Sequence, residues 1–200
     1  MKRVWEGLGL NSQLKEIFGS VLSTIGTIEA ALGSTPQLPI NQQLKIDLRL
    51  QGNILQATGE ALSADGQGTY SLELIGDEVQ AVGNSLVVTG ILFDPNKDLN
   101  QRIIITGNWL QALGSFVALS DEFFDLTPSG RSLNIVGGFL QGIGNSMQAK
   151  GGIETLRDKS SESGEALGFY GSWIQAIGSV LSLIGQMKEE LQEIALHINE

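Results

Sequence analysis

A repeated unit, Gly-x-x-x-Gln-Ala-x-Gly, constrains the fold of this chain more than any other feature. Clear copies read GNILQATG from Gly52, GDEVQAVG from Gly76, GNWLQALG from Gly107 and GSWIQAIG from Gly171, with a shorter copy between Gly137 and Gly144. A divergent first copy, SQLKEIFG, begins at Ser12 and carries Glu16 in place of the glutamine. Repetition of one unit along the length of a chain is typical of a repeat architecture.

The apolar residues inside the units follow the period of a helix. Positions three, six and ten after the first glycine are mostly Leu, Val or Ile, and at about 100° per residue they lie on one arc of a helix. Asn53, Asn108 and Ser172 lie on a different arc. The pattern predicts helices at about 10–33, 40–64, 69–92, 98–124, 131–154 and 163–198. Segments rich in Gly, Pro and Asp separate them.

These features predict an all-α protein with a single domain over residues 1–200. We expect six closely packed helices, arranged as a mostly antiparallel up-down bundle or as a helical array. A wholly helical, soluble chain follows from this interpretation.

The glycines of the units are expected to lie where helices touch. Each glycine inside a helix costs about 1 kcal/mol relative to alanine, so a compensating contact is needed. Close approach of two backbones provides one through added dispersion and Cα–H···O contacts. The predicted packing glycines are Gly52, Gly59, Gly76, Gly83, Gly107, Gly114, Gly137, Gly144, Gly171 and Gly178.

One polar side chain keeps its register in the repeats: Gln56, Gln80, Gln111, Gln141 and Gln175. Such an amide can bond to a neighbouring helix, bond to another copy of the chain, or face solvent. Asn and Ser accompany it, with few charges in the later units, whereas an ordinary soluble surface carries charge. We therefore expect these glutamines to form an interface between copies of the chain.

Composition excludes several classes of function. A formal charge of −10 disfavours nucleic-acid binding, which needs clustered Lys and Arg. Cysteine is absent and histidine occurs once, so no Cys- or His-based metal site is expected. The acidic segment from Asp94 has Leu99 where a calcium loop requires Gly. No catalytic, cofactor-binding or metal-binding residues are predicted, and we expect the chain not to be an enzyme.

Aromatic residues share one position of the repeat, at Trp109, Phe139 and Trp173. We expect them to fill a core.

The units GNWLQALGS and GSWIQAIGS resemble those of uncharacterised glycine-rich repetitive proteins of spore-forming, Bacillus-type bacteria. The resemblance covers nearly the whole chain. It implies a cytoplasmic or spore-associated location, and it transfers no functional residues.

Two functions remain open at this point. The first is a structural protein that associates with itself to form a homo-oligomer. The second is a membrane-interacting or membrane-inserting helical protein, because residues 166–187 and 103–120 carry no charge and have about the length that spans a bilayer. The Gln, Asn and Ser of every unit and the mean hydropathy of +0.08 favour the first.

Overall fold

A computed structural model of the chain describes residues 2–95, 97–123 and 129–198. These residues form six helices and no strand. The helices are α1 (Lys2–Gly33), α2 (Gln42–Gln67), α3 (Leu72–Leu92), α4 (Asp98–Glu122), α5 (Arg131–Arg157) and α6 (Glu162–Ile198). The prediction of an all-α fold with six helices is confirmed.

The helix ends differ from the predicted ones where local signals are stronger than the repeat. α1 begins at Lys2, upstream of the first unit. α2 begins after Asn41, whose side chain accepts a hydrogen bond from the backbone N–H of Leu44 at 2.8 Å. It ends before Gly68, which has a φ of 65° and so adopts the left-handed conformation that ends many helices.

The six helices form a closed ring. Each helix packs on the helices before and after it in the chain, and α6 packs on α1. Among the described residues, the backbones of helices that are not neighbours in the ring do not come into contact. Neighbouring helices run antiparallel, so the turns alternate between two ends. The end with the α2–α3 and α4–α5 turns is called end A, and the opposite end is called end B.

The helices of three hairpins, α1–α2, α3–α4 and α5–α6, touch backbone to backbone at glycines. A Cβ atom at Gly52 would lie 2.5 Å from the carbonyl oxygen of Gly26, and one at Gly107 would lie 2.5 Å from that of Gly83. The third hairpin repeats this contact between Gly144 and Gly171. All ten predicted packing glycines are buried at such contacts. Any side chain there would force the two helices apart.

The start of α3 offers a test of its capping residue. The Ser71 hydroxyl accepts a hydrogen bond from the backbone N–H of Leu74 at 2.9 Å. We expect Ser71→Ala to lower the free energy of unfolding by about 1 kcal/mol, because the N–H loses its partner. Urea unfolding followed by circular dichroism measures the change. Ser85→Ala, at an exposed position within the same helix, is the control and should have a smaller effect. Equal losses would contradict the assigned cap.

Candidate functional site: a polar interior

The inside of the ring is polar and much of its outside is apolar. The largest fully buried side chains are Asn84, Asn145 and Ser172. Large apolar side chains are exposed on every helix, among them Phe18, Ile54, Val82, Leu113, Val136 and Ile177. This distribution is the reverse of that in a water-soluble bundle, where apolar side chains fill the centre.

The aromatic position of the repeat shows the same reversal. The side chains of Trp109 and Phe139 are 45% and 51% exposed, so these residues do not fill a core as expected. Trp173 is more buried, and its indole N–H donates to the Thr35 hydroxyl at 3.0 Å. The repeat places its aromatic residues on the outer arc of each helix, and the glutamines on the inner arc.

The repeated glutamines lie at one level of the ring, which we call the glutamine ring: Ser23, Gln56, Gln80, Gln111, Gln141 and Gln175. Each of these residues packs against a glycine of its hairpin partner. At the centre, the Gln175 amide donates to Gln56 Oε1 at 2.8 Å and to Gln111 Oε1 at 3.5 Å. The ring thereby links α2, α4 and α6, which belong to three different hairpins.

The other members of the ring bond towards end A. The Ser115 hydroxyl donates to Gln80 Oε1 at 2.9 Å, and the Gln141 amide donates to the Ser182 hydroxyl at 3.0 Å. Gln141 is partly buried, and the other four glutamines are fully buried inside one chain. The expectation that this face joins two copies of the chain is therefore corrected: the amides bond between neighbouring helices.

The first helix is out of register with its predicted repeat. Gly114 and Gly178 face Gln80 and Gln141, and the equivalent Gly59 faces Ser23 rather than Glu16. Ser23 thus holds the glutamine position of α1. Glu16 lies one heptad closer to end A. Because the glycines of α1 recur every seven residues, either Glu16 or Ser23 could be aligned with the repeated glutamines. The contacts of α1 with α2 place Ser23 there.

A second level, the asparagine ring, lies one helical turn closer to end B. It consists of Thr27, Asn53, Asn84, Asn108, Asn145 and Ser172, all of them buried. Three buried amide atoms at these two levels have no hydrogen-bond partner: Asn84 Oδ1, Asn145 Nδ2 and Gln111 Nε2. An unsatisfied buried polar group costs about 1–3 kcal/mol, so these atoms require a partner that the chain does not provide.

A cavity of about 580 Å³ opens at end A, above the glutamine ring. The carboxylates that line it are Glu16, Glu60, Glu73, Asp77, Glu122, Glu189 and Glu190, and no Lys or Arg lines it among the residues whose side chains are described. Burial raises the pKa of Glu60 to about 7, and burial together with the neighbouring Glu60 carboxylate raises the pKa of Asp77. No group of three or more His, Asp or Glu among the described residues is arranged to hold a metal ion.

End B differs from end A in charge and in packing. Val87, Ile91 and Ile104 form a buried apolar cluster there, next to Ile46 and Leu50. Arg49 occupies the inward position one heptad from Gln56 and packs against Gly33 as Gln56 packs against Gly26. Among the described residues, no carboxylate lies within salt-bridge distance of Arg49.

One glycine at end B lies beside unfilled space. Gly168 is one heptad from Gln175, and a Cβ atom there would meet no heavy atom within 4 Å.

Among the described residues, two helices are long enough and apolar enough to span a membrane. They are Asp98–Glu122 and Glu162–Gln192, each with a mean hydropathy of 1.4 in its most apolar window. Of these windows, 50% and 33% are buried inside the bundle, so much of each faces outward.

Comparison with known proteins gives a family without a described activity. No curated protein and no solved structure matches the chain. Residues 14–183 match the family of unknown function DUF6944, and this segment contains the glutamine ring, the asparagine ring and all ten predicted packing glycines. The chain belongs to this family.

Proposed function

We propose that the chain is a membrane-embedded helical bundle that shields a polar interior from lipid. The reversed distribution of polar and apolar side chains carries this proposal. Soluble proteins rarely expose contiguous apolar surface beyond a few hundred Å². Here such side chains surround the ring, in what we call the apolar belt: Phe18, Ile25, Ile54, Val82, Trp109, Leu113, Phe116, Val136, Phe139, Ile177, Val180 and Ile184.

The positions of the charges support a bilayer as the surrounding medium. α4 has no charged residue between Arg102 and Asp121, and α6 has none between Glu165 and Lys188. At about 1.5 Å per residue, these stretches are about 27–33 Å long, close to the hydrocarbon thickness of a bilayer. Exposed charges such as Lys15 and Lys159 lie near the two ends of the bundle.

The polar residues that favoured a soluble chain are compatible with this proposal. The repeated Gln and Asn side chains point into the ring, so lipid does not contact them. Helical backbones satisfy their own hydrogen bonds, as a bilayer requires. Glycine contacts between helices are also common in membranes, where close packing and hydrogen bonds replace the hydrophobic effect as the source of helix association.

Flotation with phosphatidylcholine vesicles tests the proposal. We expect the purified chain to float with the vesicles and to resist extraction at alkaline pH. Leu113→Lys and Ile177→Lys each place a charge in the apolar belt, at side chains that are 53% and 54% exposed. Each should reduce vesicle association about tenfold or more, because Lys in the bilayer centre costs about 2.5–3.5 kcal/mol.

The matched control is Tyr70→Lys. Tyr70 is 86% exposed in the turn between α2 and α3, outside the apolar belt, so its replacement should leave association unchanged. A wild-type chain that remains in the aqueous fraction, with Leu113→Lys indistinguishable from it, would overturn the proposal.

A second candidate function is self-assembly as a structural protein. The same apolar belt would then be covered by further copies of the chain, and the formal charge of −10 would keep the assembly dissolved. Sedimentation in detergent-free buffer distinguishes the two candidates. A discrete oligomer that does not float with vesicles, and that Leu113→Lys dissociates, would favour self-assembly.

A further inference from the structure

Three buried amide atoms near the axis of the ring have no partner in the chain. They are Asn84 Oδ1, Gln111 Nε2 and Asn145 Nδ2, and each residue is at most 2% exposed. The atoms include both an acceptor and donors. Water satisfies both kinds of atom, and buried polar groups of this kind commonly hold ordered water.

These atoms lie at consecutive levels below the cavity. Ser23, Gln80 and Gln141 line the cavity and also belong to the glutamine ring, so the ring forms the cavity floor. Asn84 and Asn145 lie one turn further towards end B. Beyond them, unfilled space lies beside Gly168, at the inward position of α6. Polar sites thus follow one another from the cavity to the asparagine ring, and the unfilled space beside Gly168 lies beyond them, at the same end as the apolar cluster.

The charges along this axis have opposite signs at its two ends. Carboxylates line the cavity at end A, where they repel anions. Arg49 lies at the inward position near end B, where its Cγ packs against Gly33, and it brings a positive charge that repels cations to this end. The two amide rings between them carry no charge. A positive charge beside a narrow polar path is a known barrier to cations and protons in membrane channels.

We propose that water molecules occupy the two amide rings and connect the acidic cavity with the space beside Gly168. The axis then accepts water and small uncharged polar solutes, and the charges at its ends oppose the passage of ions. Passage across a membrane rests on the function proposed above. The bound water does not, because the unpaired amides need partners in any surrounding medium.

Osmotic shrinkage of proteoliposomes tests passage. Stopped-flow light scattering should show a several-fold higher water permeability than in empty vesicles, whereas potassium flux should stay at the level of empty vesicles. Quenching of the exposed Trp109 by brominated lipid reports insertion separately. Inserted protein without higher water permeability would overturn the conduit, while a lack of insertion would overturn the membrane proposal. High potassium flux would overturn the exclusion of ions.

Asn84→Leu removes the unpaired acceptor and adds apolar bulk at the asparagine ring. Its neighbour Ser85 is exposed on the outside of α3, so Ser85→Leu is the matched control. We expect Asn84→Leu to lower water permeability to near that of empty vesicles and Ser85→Leu to leave it unchanged. Equal permeability of the two variants would overturn the proposed path.

The positions of bound water molecules in the bundle can be determined without a membrane and without a variant. High-resolution diffraction of the wild-type chain should show water within hydrogen-bonding distance of Asn84 Oδ1 and Asn145 Nδ2. A dry axis, with these atoms paired to other side chains, would overturn the inference even if the chain inserts into membranes.

Discussion

Gly144→Leu is expected to destabilise the bundle severely, although leucine is the better helix former. A Cβ atom at this position would lie 2.5 Å from the carbonyl oxygen of Gly171 and 2.6 Å from the backbone nitrogen of Gln175. Backbone atoms move only if α6 moves, so the helices must separate. We expect the net loss to exceed about 3 kcal/mol, at the upper end of the cost of overpacking. Thermal unfolding followed by circular dichroism measures the loss.

Alanine at two positions provides the control. Gly144→Ala should still destabilise, because its Cβ makes the same contacts. Gly168→Ala adds a Cβ in open space and should stabilise the chain by up to about 1 kcal/mol through helix propensity. Stabilisation by both changes would show that the glycines in the hairpin are not required for close packing.

Gln175→Lys is expected to destabilise the bundle strongly, because the change lies at its centre. Gln175 is 5% exposed, donates to Gln56 and Gln111, and accepts from the Gln148 amide at 2.8 Å. Lysine there would bury a charge with no acidic partner and leave Gln56 Oε1 without its donor. Uncompensated buried charges cost about 3–5 kcal/mol. The melting temperature of the variant should fall accordingly.

Gln141→Lys is the matched change at the floor of the acidic cavity. Gln141 is partly exposed and lines the same cavity as Glu189, so lysine there meets solvent and negative charge. We expect a much smaller loss of stability than for Gln175→Lys. If both variants kept the melting temperature of the wild type, the glutamines would not lie in a buried interior.

Periodicity was enough to predict the elements and an antiparallel up-down bundle as one of two arrangements, but not the closure of the ring. Apolar spacing and turn residues locate the six helices, because both signals are local. The ring closes because α1 packs against α6. Residue patterns within a helix do not predict a contact between segments so far apart in the sequence. The alignment of Ser23 with Gln80 is likewise set by the partner helix.

Whether the face with the repeated glutamines points into the bundle or out of it could not be predicted without knowing what surrounds the protein. The helical period separates the arc of Gln111 and Asn108 from the arc of Trp109 and Leu113, but it does not decide which arc faces inward. The usual rule for soluble proteins turns apolar residues inward, and this rule failed here. The scarcity of Lys and Glu beside the repeated glutamines was the available signal, because solvated faces normally carry charge.

The joint between α1 and α6 differs from the three hairpin contacts. It includes polar side chains such as Thr24 and Ser179, whose hydroxyls lie 3.0 Å apart. Gly19, Gly26 and Gly33 of α1 face α2 instead, and Gly164, Gly171, Gly178 and Gly185 of α6 face α5. Hairpins close short loops, whereas this joint brings together distant segments at a larger entropic cost. We therefore expect it to form last during synthesis and to open first under load. Until α6 leaves the ribosome, the amide interior has no wall on one side, so five helices alone leave the axis open to the surroundings.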